Sequence, residues 1–145
     1  MSPVPTDPNA KENSGSEFNA VVAVLNSYFD GLYFSDTKIL RQVFHPRAMY
    51  ASLTGGTLLQ LGMDEYFDVV DTRPAPARLG QQRQDRIISI EFGGPGLVSA
   101  RVECAILPKR FVDMLTLVHL EGRWQVISKV FHYEIDPDVV PGATS

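Results

Sequence analysis

Asp113 is a carboxylate set in the apolar run Phe111-Val112-Asp113-Met114-Leu115. A charge in such a stretch must be paired or neutral, because loss of hydration disfavours the ionised form. Asp113 therefore reads either as a hydrogen-bonding acid in a site or as the partner of a backbone group, of Lys129 or of an arginine. Tyr28 shares a helical stripe with Leu25 and Leu32, where a phenol packs as core and keeps its hydroxyl for a polar partner. Turned inward in an apolar pocket, such groups would stabilise negative charge developing on a substrate oxygen. His45 and His132 have the unperturbed pKa suited to moving the proton. For His45, which precedes Pro46 at an expected helix end, capping of that helix is the competing role. Tyr50, Ser52, Tyr66, Trp124 and Ser128 complete the set as candidate substrate contacts.

Other reactive side chains read as structural. Cys104 lies between Glu103 and Ala105 in a strand-like stretch with nothing to mark a thiolate environment. The three histidines are far apart in sequence and lack the local pairing of a metal site, so neither metal nor cofactor is expected.

Positioning these groups requires particular elements. Ser14 followed by Glu17 fits a capping box, and Phe18, Val21, Val22, Leu25, Tyr28, Phe29 and Leu32 recur at spacings of three and four. This predicts a first helix over 16–33, preceded by a proline-bearing polar arm over 1–15. Ser35 is placed to cap a second helix carrying Ile39, Leu40, Val43 and Phe44, which must end near His45 because Pro46 follows. Thr54-Gly55-Gly56-Thr57 separates two short strands, and Met63 to Val70 reads as a third helix. The proline-bearing segment 72–80 reads as a loop at a pocket rim. Four strands follow over 86–92, 97–107, 110–120 and 123–133, divided by Gly93-Gly94-Pro95-Gly96, Pro108-Lys109 and Glu121-Gly122. Residues 135–145 form a tail, leaving 16–134 as the domain.

The Glu121-Gly122 turn lets the faces of the last hairpin be sorted. Pairing Leu120 with Arg123 carries on to Leu117 with Val126, Leu115 with Ser128, Asp113 with Val130 and Phe111 with His132. This register turns Trp124, Asp113, Ser128 and His132 inward and places Lys129 on the opposite face. That outer face is too apolar for plain solvent and reads as the interface of a homodimer.

The stretches Ser35-Asp36 through Ile39-Leu40 and Val43-Phe44 into His45-Pro46, Val112-Asp113-Met114-Leu115-Thr116-Leu117, and Gly122-Arg123-Trp124-Gln125-Val126-Ile127-Ser128-Lys129-Val130-Phe131 resemble the nuclear-transport-factor-2-like superfamily. The closest similarity is to its ketosteroid-isomerase-like and lumazine-binding branches, over roughly 18–133. The resemblance implies an α+β fold in which a cone-shaped, curved antiparallel sheet packs on three N-terminal helices in the order α-α-β-β-α-β-β-β-β. It also implies a homodimer and a small-molecule pocket used without a cofactor. Ketosteroid isomerase employs a tyrosine and a protonated aspartic acid as an oxyanion hole, with a carboxylate as base. Anchored on Ser35-Asp36 and Phe44, its tyrosine falls on Tyr28 and its strand aspartate on Asp113, but its base falls near Ser52. A serine hydroxyl cannot replace that carboxylate. The implied function is a cofactor-independent lyase, dehydratase or isomerase acting on a small apolar or aromatic compound. The competing reading is a dimeric binding protein without chemistry, and family membership fixes a fold better than a reaction.

Composition narrows the partners. At 145 residues, 44% hydrophobic, the chain can bury a core without disulfides, and its single cysteine allows no internal one. A net charge of −4 and nine scattered arginines provide no basic surface for nucleic acid or anionic lipid. No stretch reaches the apolar length of a membrane span. A polar N-terminus without a leader-like run reads as cytoplasmic.

Overall fold

The computed structural model describes residues 10–139, with side chains from 15 onward. Residues 1–9 of the expected arm and 140–145 of the expected tail lie outside the described residues. The first helix, α1 (Ala10–Tyr33), begins six residues before the expected start. Ala10, Lys11 and Glu12 are strong helix formers, so local propensity carries the helix back past the Ser14 capping signal. Its apolar stripe of Val21, Leu25, Tyr28, Phe29 and Leu32 is buried as the spacing requires.

At the end of α1, Ser35 takes a left-handed conformation (φ 47°), and Asp36 rather than Ser35 caps α2 (Thr37–Val43). The Asp36 carboxylate accepts from the backbone N–H groups of Lys38 at 2.9 Å and Ile39 at 3.3 Å. Gly31 lets α2 approach α1 closely, since a Cβ there would lie 2.5 Å from Leu40 Cδ2. The helix ends at Val43, and Phe44, expected in the helix, instead opens β1 (Phe44–Ser52). A short 3-10 turn over Thr54–Gly56 leads to β2 (Leu59–Leu61) and then α3 (Met63–Thr72). The positive φ values in that turn fall on Gly55 and Gly56, where no Cβ opposes them.

The four long strands are β3 (Asp85–Gly94), β4 (Leu97–Ile106), β5 (Lys109–Leu120) and β6 (Arg123–Ile135). With β1 and β2 they form one open, curved sheet in the order β2-β1-β6-β5-β4-β3. Every neighbouring pair is antiparallel except β1 with β6, which is parallel. The three helices cover one face and close the core through Phe44, Tyr66, Phe67, Leu115, Leu117 and Val126.

One irregularity determines what faces that core. The β5–β6 pairing begins as expected, with Leu120 opposite Arg123 and Leu117 opposite Val126. Then Thr116 pairs with Ser128, which leaves Ile127 as an extra residue on β6. Beyond this bulge the faces of β6 exchange. Asp113 lies opposite Phe131 rather than Val130, and Phe111 opposite Tyr133 rather than His132. Ser128 and His132 therefore turn outward, contrary to the uninterrupted register, while Lys129, Phe131 and Tyr133 turn inward.

Candidate active site

The inward exchange on β6 brings Lys129 beside Asp113 and the aromatic side chains of α1, α3 and β1. Tyr28 and Asp113 are both fully buried, and the Tyr28 hydroxyl donates to Asp113 Oδ2 at 2.5 Å. Cys104 on β4 contacts the same oxygen from Sγ at 3.9 Å, while Oδ1 is buried without a hydrogen-bond partner among the described residues. Burial and then the adjacent Asp113 charge hold the Tyr28 pKa well above the ordinary phenol value, so its proton stays on and the hydroxyl acts as donor.

Lys129 is 5% exposed and donates from Nζ to the Tyr66 hydroxyl at 3.3 Å. Its ammonium lies 5.0 Å from the Tyr66 ring centroid, 5.2 Å from those of Tyr28 and Phe131, and 5.5 Å from that of Tyr50. Burial alone would lower its pKa. The oxygens of Tyr66, Asp113 and Tyr50 outweigh burial and raise it, and the surrounding ring faces favour the cation as well. Lys129 is therefore an ammonium, suited to stabilising an oxyanion and unsuited to attacking a carbonyl as a free amine. Tyr50 and Tyr66 stack with centroids 4.6 Å apart, and burial also raises the Tyr50 pKa against the pull of Lys129 and Arg73.

Of these groups Lys129, Tyr50 and Cys104 line a cavity of about 380 Å³ between the sheet and the start of the 73–80 loop, whereas the buried Tyr28, Asp113 and Tyr66 do not. Leu59, Leu61, Phe111 and Phe131 supply apolar wall, and Tyr50, Cys104, Arg73 and Lys129 reach it from three sides. The volume suits a small organic molecule. A wider groove of about 630 Å³ lies mainly along the outer face, but its charges already satisfy one another. Arg86 pairs with Glu103 at 3.1 Å and Arg110 with Asp136 at 2.7 Å.

The remaining candidates lie apart from the Tyr28–Asp113 pair. Ser52, at the position resembling the isomerase base, is buried and engaged with its own turn. It donates to Thr54 Oγ1 at 3.1 Å and accepts from the Thr54 backbone N–H at 3.2 Å. His45 Nδ1 accepts from the Arg47 backbone N–H at 3.0 Å. His132 is exposed beside Glu134, with Nδ1 3.3 Å from Thr54 Oγ1. Ser128 is outward on the bulge, and Trp124 packs edge-on against Phe92 and His119 at the other end of the sheet. Tyr50 and Tyr66, by contrast, join the cluster. Sequence reasoning offered Lys129 as a partner of Asp113 but not as a site residue, because an unbroken register sends it outward, and it missed Arg73, whose place at the start of the expected rim loop was the available signal.

Comparison with known proteins agrees with this architecture. Residues 16–132 match the model of the family described as "Putative lumazine-binding", and the chain belongs to that family within the nuclear-transport-factor-2-like superfamily. It is 26% identical over 123 residues to a protein named aldolase FrzH from Cladobotryum sp., covering 85% of this chain and 96% of that protein. A nuclear-transport-factor-2-like protein of unknown function from Shewanella baltica OS155 superposes with a TM-score of 0.74 at 30% identity, over 82% of this chain and 94% of that one. A ketosteroid isomerase-like protein from Erwinia carotovora atroseptica SCRI1043 shares the fold, with a TM-score of 0.63 at 12% identity, over 81% and 95% of the two chains. No helix among the described residues is long and apolar enough to cross a membrane.

Proposed function

We propose that this protein is a cofactor-independent lyase that makes or breaks the carbon–carbon bond next to a carbonyl group in a small apolar or aromatic compound. The observation carrying this reading is the buried Tyr28–Asp113 hydrogen bond beside the caged Lys129 ammonium. In the cleavage direction the substrate displaces the side chains that cover Asp113, whose unpartnered Oδ1 then takes the proton of a β-hydroxyl. The bond between the α and β carbons breaks, an aldehyde or ketone leaves, and the electron pair passes to the remaining carbonyl oxygen as an enolate. Lys129 and the Tyr50 hydroxyl stabilise that oxygen, and the proton held by Asp113 returns to the α carbon. Charge is concentrated on one atom beside the buried Lys129 ammonium, where such stabilisation is worth more than in bulk water. The likeness to a protein named an aldolase supports the reaction class. Proton transfer is assigned to Asp113 rather than to His45 or His132, which lie away from the ammonium.

The outer sheet face exposes Met49, Met114 and Val130 and is assigned to a second copy of the chain. To test the chemistry, 4-hydroxy-4-phenylbutan-2-one and 4-hydroxy-2-oxo-4-phenylbutanoate are incubated with the protein and benzaldehyde release is followed. Asp113→Asn and Tyr28→Phe should each lower release by about a hundredfold or more while circular dichroism stays unchanged. Borohydride added during turnover should leave the protein mass unaltered. Unchanged rates in both variants, or a reduced adduct on Lys129, would sink the mechanism. A ligand bound and recovered intact would favour a binding protein instead.

A further inference from the structure

The cavity holds an imbalance of charge that the lyase reading does not use. Among the described residues three cations, Arg73, Lys109 and Lys129, line it and no carboxylate does, although the whole chain carries a net charge of −4. Lys109 is exposed at the side and rests its ammonium 4.5 Å from the Tyr133 ring centroid. Arg73 and Lys129 are different, because neither has a carboxylate within 4.0 Å among the described residues.

Arg73 is the more telling of the two. It follows α3 directly, and its backbone N–H closes the helix on Val69 O at 3.2 Å. An arginine there would ordinarily extend into water. Here Nε and Nη2 are both buried, and neither has a hydrogen-bond partner among the described residues. Two adjacent donors on one guanidinium edge form the fork that meets the two oxygens of a carboxylate. The acids on the same helix do not supply one. Asp71 accepts from Thr37 Oγ1 at 2.9 Å, and Asp64 lies 3.9 Å from Arg41. A buried guanidinium edge without an oxygen partner destabilises the fold, and because Arg73 also lines the cavity, a turn of its side chain brings that edge to a bound carboxylate.

We infer that the substrate is a carboxylate, a small oxo acid with an apolar or aromatic body, whose acid group is gripped by Arg73 while its carbonyl oxygen faces Lys129. This rests on the lyase reading for the role of the carbonyl but not for recognition of the acid. The walls suit the remainder of the molecule, since Leu59, Leu61, Phe111 and Phe131 provide no polar contact.

Binding without turnover separates this inference from the catalytic one. The probes are 2-oxo-4-phenylbutanoate and 2-oxo-4-phenylbutanamide, similar in shape and differing in charge, titrated calorimetrically at low and high salt. The acid should bind about ten- to a hundredfold more tightly than the amide, as a charge-assisted pair of hydrogen bonds implies. Arg73→Gln should abolish that preference while leaving amide affinity within about twofold, and Arg73→Lys should restore part of it. Asp113→Asn should retain the preference even if turnover is lost. Equal affinities for the two probes, a preference that survives in Arg73→Gln, or no uptake of the acid at millimolar concentration would each overturn the assignment.

Discussion

Replacing Tyr28 by Phe removes a single oxygen from a fully buried site, and its cost follows from what that oxygen holds. The hydroxyl provides Asp113 with its 2.5 Å hydrogen bond, and the other contact to the carboxylate is Cys104 Sγ at 3.9 Å, too long to compensate. Losing a hydrogen bond to a charged group costs about 1.5–3 kcal/mol. Leaving a buried carboxylate without a partner brings such losses to about 3–5 kcal/mol. We expect about 3 kcal/mol for Tyr28→Phe, since solvent entering the cavity would recover part of the larger figure. The single tryptophan, Trp124, is 4% exposed and reports unfolding by fluorescence. With a urea slope of about 1.5 kcal/mol per molar, the midpoint should fall by about 2 M. The decisive comparison is Tyr28→Phe combined with Asp113→Leu. Once Asp113 is Leu, the Tyr28→Phe change should cost about 2 kcal/mol less than it does beside the carboxylate, whatever the loss of Asp113 costs the Lys129 ammonium. If Tyr28→Phe costs less than about 1 kcal/mol, or the two changes simply add, the pair is not the buried unit described.

Stability should also depend on alkaline pH. Burial raises the Tyr28 phenol and the Cys104 thiol above their ordinary values of 10.0 and 9.0, so the unfolded chain loses these protons first. The stability they contribute is fully present below pH 9 and is lost as pH rises, by up to about 1.4 kcal/mol per pH unit for each group. Cys104→Ala should move the onset of this loss upward toward the phenol range, and a urea midpoint constant from pH 7 to 11 would contradict it. For the outer face, Met114→Glu and Val130→Glu should convert a dimer to a monomer in light scattering while leaving the Trp124 spectrum unchanged. An unmodified protein that is monomeric at high micromolar concentration would remove that interface.

Periodicity and turn chemistry made the elements legible. The α1 stripe from Val21 to Leu32, the Glu121-Gly122 turn and the Gly55-Gly56 turn each occur where spacing and backbone freedom place them. The limits were physical. Helix starts depend on competing local preferences, so Ala10-Lys11-Glu12 extended α1 and Asp36 displaced Ser35 as the cap. A bulge leaves no mark that alternation can detect, because Ile127 is as suitable for a strand as its neighbours. Tyr28 and Asp113 were visible from an apolar context holding one polar atom. Lys129 was not, because its burial depends on that bulge, nor was Arg73, whose environment arises only when α3 meets the sheet.

The bulge at Ile127 also sets how this cavity can change over evolutionary time. Point substitutions on β6 alter one wall position at a time. Deleting Ile127 would restore an unbroken ladder and keep Ser128 opposite Thr116, Lys129 opposite Leu115 and Phe131 opposite Asp113, so the cavity would keep its lining. Pairing the full-length strand without the bulge would instead send Lys129, Phe131 and Tyr133 to the outer surface and bring Ser128, Val130 and His132 into the cavity. Whether the ladder loops out one residue or pairs it thus separates an interior built around an ammonium in aromatic rings from one built around a hydroxyl and an imidazole, on the same backbone scaffold. Relatives should accordingly be compared here by which side chains face inward, not by aligned letters.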